Sequence, residues 1–157
     1  MNRYGARGQR LPQRRGPTPP PRAPGLGAGY LKNGYFDGKG NIWPELIVDE
    51  AKRVADVLGQ RRLLKTSQLR RFFGKARNIQ QKLESGQPFD ALVSEIRGMQ
   101  PLAANAVARG NAPEAFKEFI DRNVPLAARD AKHFVSGFLA HFQGVLCYFT
   151  YLKLQRG

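Results

Sequence analysis

The sequence predicts an all-α protein: a compact five- or six-helix bundle preceded by a disordered Arg/Pro/Gly-rich arm. Apolar residues recur at three- and four-residue spacing in several segments after residue 44, the signature of helices with one buried face. No stretch shows the strict alternation that a half-buried strand requires, and no repeat recurs at fixed spacing. At 157 residues the chain is long enough for one domain with a real core, so we divide it into an arm, 1–29, and a single helical domain, 30–157.

The arm holds six Pro, six Gly and six Arg with almost no large apolar side chain, too little to offset the entropy of ordering. Its prolines exclude the amphipathic helix of a transit peptide, and no apolar run makes it a signal peptide. Its arginines suit a loose hold on RNA or DNA, or simply a solubilising tail. The glycines of 25–29 resemble a phosphate loop only superficially, since no strand precedes them and no Gly-Lys-Ser/Thr follows.

Tyr30 to Trp43 alternates aromatic anchors with the turn pairs Asn33-Gly34, Asp37-Gly38 and Gly40-Asn41, and reads as a lead-in pinned on the core. Pro44 suits the first position of a helix with Ile47, Ala51, Val54 and Leu58 inward, ended by Gly59. A second helix is predicted from Ser67 to Leu83, capped by Thr66 or Ser67, with Leu69, Phe72, Phe73, Ala76, Ile79 and Leu83 on its apolar stripe. Gly74 inside it is a poor helix former and puts its continuity at issue.

Ser85-Gly86 closes that helix, and Pro88 opens the next, with Phe89, Leu92, Val93 and Ile96 inward. Pro101 is expected to break it, leaving a short Ala-rich segment from Leu102 to Arg109. A helix near Pro113 to Asn123 follows, which Val124-Pro125 should interrupt. The last helix, about Arg129 to Gln155, carries Phe134, Phe138, Phe142, Val145, Phe149 and Leu152 on one stripe and reads as the bundle's central rod. Its length invites comparison with a membrane span, but His141 and Gln143 fall mid-segment, Gly137 and Gly144 dilute its apolarity, and no membrane partner is expected.

Charge points to the ligand. The chain carries 26 basic against 12 acidic residues, a net +14 and a pI near 10.6, which makes nucleic acid the leading partner class. The excess is densest in RRLLKTSQLRRFFGKARNIQQK, residues 61–82, with eight basic side chains and no acidic one. On the helical wheel Arg71, Lys75 and Lys82 line one flank and Arg70 and Arg77 the other, with Asn78 and Gln81 between. A merely solvated face would interleave Glu or Asp with these cations, so the face is read as phosphate-binding, together with Arg61, Arg62 and Lys65 at its start. No carboxylate is expected to neutralise either flank.

Enzyme chemistry finds no support. His133 and His141 lack a carboxylate or thiol placed to complete a metal shell, and Ser67 and Ser136 lack a His-Asp pair, so no catalytic residue, metal or cofactor is expected. The lone Cys147 excludes an intrachain disulfide; its apolar setting predicts a buried, inert thiol and a reducing cytoplasm.

Tyr35-Phe36-Asp37 with Gly38 to Asn41, an amphipathic helix through Ala51, and Thr66-Ser67-Gln68-Leu69-Arg70-Arg71-Phe72-Phe73 with Arg77 beyond resemble the small subunit of the type III-A CRISPR interference complex, the Csm complex. The resemblance covers about residues 30 to 156. It implies a compact, non-catalytic helical protein of the prokaryotic cytoplasm that stacks as several copies beside the crRNA-bearing backbone subunit. It further implies that the chain lines the channel holding crRNA and target RNA and abuts the large polymerase-like subunit. Carried over, Gln68, Arg70, Arg71, Lys75 and Arg77 face nucleic-acid backbone while Phe72, Phe73 and Ile79 hold the helix down. Such contacts are independent of sequence, which guide pairing would read. The competing reading is a stand-alone DNA-binding regulator whose basic helix enters a major groove, with Asn78, Gln80 or Gln81 reading bases.

Overall fold

A computed structural model describes residues 16–17 and 25–156; the expected disordered arm lies almost wholly outside them. Its last residues lie inside, and there Leu26 is buried, with its N–H donated to Glu118 at 3.1 Å. Packing therefore begins before the expected boundary at residue 30.

The helices are α1 (Pro44–Ile47), α2 (Asp49–Gly59), α3 (Thr66–Glu84), α4 (Phe89–Arg97), α5 (Met99–Ala108), α6 (Glu114–Ala127), a π-helical segment (His133–Leu139) and α7 (Ala140–Arg156). Since α1 is a single turn, six helices of nine or more residues make the bundle among the described residues. The π segment and α7 form the central rod. α2 lies along α7, α1 and α3 pack beside it, α6 covers the π segment, and α5 lies on α6.

Phenylalanine rings tie these elements together. Phe72 of α3 meets Phe116 of α6 edge to face at 4.8 Å, Phe119 meets Phe142 at 5.2 Å, and Phe138 meets Phe142 at 5.6 Å. These pairings add a directional contribution to the burial of apolar area. Phe134, Phe138, Phe142, Val145 and Phe149, all expected on the rod's inner stripe, are buried, and Leu152 is half-buried.

Four boundaries differ from the sequence reading. The Pro44 helix breaks at Val48, whose φ of −114° and ψ of −81° are not helical. Helix α5 starts at Met99, with Pro101 as its third residue; first-turn N–H groups have no intrahelical partner, so proline removes nothing there. The break falls at Gly98 instead. α6 runs through Pro125 to Ala127, because the loss of one late i→i−4 bond is outweighed by keeping Val124 and Ala127 buried. The rod contains a wide π turn where one uninterrupted α-helix was expected.

The rod's glycines are contact points. A Cβ on Gly137 would lie 2.7 Å from Cγ of the Tyr35 ring, and one on Gly144 would lie 2.7 Å from the Ile47 carbonyl oxygen. Gly74, by contrast, meets nothing within 4 Å, and α3 is continuous through it. Cys147 is exposed, correcting the expected burial: it faces away from the Phe142, Val145 and Phe149 stripe, a distinction an apolar run with little amphipathic contrast hides.

The lead-in is pinned as expected. A hydrogen bond from Asp37 N–H to the Asn41 carbonyl and an isolated bridge between Phe36 and Ile42 close its turn, with Asp37 Oδ1 accepting from the N–H groups of Lys39 and Asn41. Tyr30 and Tyr35 enter the core and meet Asn123 and His141 there.

Candidate nucleic-acid interface

Helix α3 begins differently from the sequence reading. Lys65 is its N-cap residue and not Thr66 or Ser67, and the Gln68 side-chain oxygen reaches back to accept the Lys65 N–H at 3.2 Å. That is the reciprocal half of a capping box, and it occupies Gln68 in the protein itself. Leu69, Phe72, Ala76 and Ile79 are buried, and Phe73 and Leu83 half-buried, so the apolar stripe lies where expected.

With that stripe held down, the basic residues emerge in three groups. Arg71, Lys75 and Lys82 share one flank with Asn78 and open onto a groove between α3 and α5. The groove consists of two adjoining hollows, of about 610 and 300 Å³, which share Lys75 and Leu102. Its α3 wall runs from Gln68 to Lys82, roughly 21 Å at 1.5 Å per residue. Its α5 wall brings Leu102, Asn105 and Arg109, residues that the sequence reading did not place here. Leu102 is 41% exposed although apolar.

Arg70 and Arg77 point to the other flank, exposed and outside the groove. Arg61, Arg62 and Lys65 form a third group at the start of α3. Arg62, in the left-handed region with φ of +53°, lines a separate hollow with Gly59, Lys153 and Arg156. Lys153 donates to the Leu64 carbonyl, and partial burial, with the Lys65 charge behind it, holds its ammonium below the usual lysine range. The ten expected side chains therefore do not converge on one site.

Pairing divides the cations further. Among the described residues no carboxylate pairs with Arg71, Lys75, Arg109, Arg70 or Arg77. Lys82 corrects the expectation of an unneutralised flank, since Glu95 Oε1 of α4 lies 2.8 Å from its Nζ. Sequence distance hid this partner, which is thirteen residues away and on another helix.

The two histidines have protein partners. His133 Nδ1 meets Asp130, whose carboxyl is held below the usual carboxylate range by the His133 backbone N–H first and by that ring contact second. His141 is buried between Tyr30 and the Leu46 carbonyl. No group of three or more His, Cys, Asp or Glu side chains suited to a metal ion occurs among the described residues. No helix there is long and apolar enough to cross a membrane.

A family model described as Csm2 Type III-A matches residues 43–154, which span α1 to α7 and both walls of the groove. The chain belongs to the Csm2 type III-A family. It is thus a small structural subunit of the type III-A Csm complex, as the motif around Thr66 to Phe73 implied. The Csm2 match begins at Trp43, so the Tyr35-Phe36-Asp37 element lies just before it. Comparison with curated proteins and with solved structures gave no match.

Proposed function

We propose that this Csm2-family chain is a non-catalytic scaffold subunit of a cytoplasmic RNA-guided antiviral complex. In this reading it lines the channel that holds crRNA and target RNA, beside the backbone subunit, the large polymerase-like subunit and further copies of itself. The observation that carries the reading is the α3/α5 groove, where Arg71 and Lys75 face Arg109 and none of the three is paired with a carboxylate among the described residues. A polyanion is the partner such a cleft attracts, and a sugar-phosphate chain is of a kind that can lie along its length. Asn78, Asn105 and Asn111 lie among the cations, and their amides make no side-chain hydrogen bond within the described protein. Each offers a donor and an acceptor, the pairing that a ribose 2′-hydroxyl presents in return.

The test is binding of unrelated RNA sequences at several salt concentrations, for the wild type and for the Arg71→Ala, Lys75→Ala double variant. If each side chain neutralises one phosphate, the slope of log affinity against log salt flattens by about 1.4, and all RNAs weaken alike. Both side chains are exposed, so helicity should be unchanged. An unchanged slope with an intact fold removes the groove from the RNA surface, and protection of one defined DNA duplex site would make the chain a regulator instead.

A further inference from the structure

Among the described residues, Glu95 is the only carboxylate that lines the two hollows of the groove. α4 carries it across to the last two turns of α3, where it takes Lys82 at 2.8 Å. The two side chains remain 45% and 43% exposed, and exposed pairs of this kind hold helices together only weakly. Lys75, Asn78 and Gln81 line the same hollow, so an anion entering it meets Lys82 already engaged. Arg71 and Arg109, toward the other end, and Lys75, where the two hollows adjoin, have no such partner among the described residues.

We propose that Glu95 is a built-in competitor for phosphate at Lys82, which gives the groove one firmly binding end and one end from which a strand is readily released. The proposal rests on the reading of the groove as an RNA-backbone site. A phosphate arriving at Lys82 either displaces the carboxylate, forfeiting the existing pair, or lies beside it against like-charge repulsion. In both cases the contact is worth less than the same contact at Arg71 or Lys75. Neutralising Glu95 turns Lys82 into a further phosphate anchor.

The experiment uses the full chain and an unstructured RNA oligonucleotide titrated at several salt concentrations. Glu95→Gln keeps the side chain's shape and removes its charge. Affinity should rise about two- to fivefold at low salt, the range that an exposed pair's energy implies. The slope of log affinity against log salt should steepen by about 0.7 as one more phosphate is neutralised. Both changes should vanish in the Lys82→Ala background. Glu45→Gln, which alters net charge equally from the exposed turn α1 on another face, should leave the slope unchanged.

A Glu95→Gln slope equal to the wild type's overturns the proposal, as does a gain that persists without Lys82, because Glu95 would then act only through net charge. If the Arg71→Ala, Lys75→Ala variant binds as the wild type does, the groove reading falls and this proposal with it. If that variant loses affinity while Glu95→Gln changes nothing, only the competitor role falls.

Discussion

Tyr30 donates its hydroxyl hydrogen to His141 Nε2 across 2.7 Å, and the other groups around this pair fix that direction. The Leu46 carbonyl can only accept, so His141 Nδ1 must carry the hydrogen that reaches it at 2.6 Å. The break at Val48 leaves that carbonyl without its i+4 backbone partner and so available. Asn123 Nδ2 donates to the Tyr30 oxygen and to the Phe119 carbonyl, and Asn123 Oδ1 accepts from Tyr35. Every member is satisfied only while His141 is neutral. Protonation would put a second donor against the Tyr30 oxygen and leave the Tyr30 hydroxyl hydrogen without its acceptor.

This sets a pH dependence. Burial holds the His141 imidazolium below the usual histidine range, with the Leu46 bond and the Glu50 charge opposing it more weakly. The unfolded chain binds the proton near pH 6.5 and the folded chain only lower, so the unfolded state holds more protons in that window and stability falls as pH drops through it. Denaturant midpoints measured from pH 7.5 to 5 should decline below about 6.5, and a His141→Gln variant should be less stable at pH 7.5 but flatter over this range. Asp130 also has a lowered pKa, but its contribution is lost only near and below the ordinary carboxylate range. Equal pH slopes in wild type and variant would remove His141 as the cause.

Gly137→Ala should destabilise the protein sharply, because the added carbon meets the Tyr35 ring, which the Asn123 bond keeps from moving aside. An overpacked core of this kind costs about 1 to 3 kcal/mol. Gly74→Ala, in open space on α3, should instead stabilise by about 0.4 to 1 kcal/mol. Thermal unfolding of the two variants side by side checks the pair, and opposite signs are expected.

Phe142→Ala removes a ring that meets Phe73, Phe119 and Phe138 at once. A loss of about 3 to 5 kcal/mol in unfolding free energy is expected. A loss under about 1 kcal/mol would mean that the rod is not the bundle's centre.

What the sequence disclosed follows from locality. The α3 stripe and its flanks are set by spacing within one helix, so the common flank of Arg71, Lys75 and Lys82, which lines the groove, is legible in the sequence. Glu95 and Arg109 reach the groove only because α4 packs on α3 and α5, packed on α6, forms the facing wall, and no spacing rule within a helix reports that. A proline does not by itself mark a helix break: Pro101 and Pro125 lie near helix ends, where the bond that proline removes is absent or dispensable. The exposure of Cys147 is hidden in the sequence because α7 is apolar on more than its buried side, with Tyr151 and Leu154 also exposed, so composition does not tell its faces apart.

Arg109 decides whether α5 belongs to the interface. It ends its helix beside Gly110-Asn111, exposed, with no carboxylate partner among the described residues and opposite Arg71 and Lys75 across the smaller hollow. Arg109→Ala should flatten the salt dependence of RNA binding by about 0.7, one phosphate's worth on a single strand, and leave helicity and unfolding midpoint unchanged. Lys132→Ala is the matched comparison. That side chain is a cation over the Phe36 ring at 4.6 Å, outside the groove. Its loss should cost roughly 0.5 to 1 kcal/mol of stability and leave the RNA slope alone. If the two variants flatten the slope equally, RNA is held by the general positive field of the protein; if only Arg109→Ala does, the strand lies between α3 and α5.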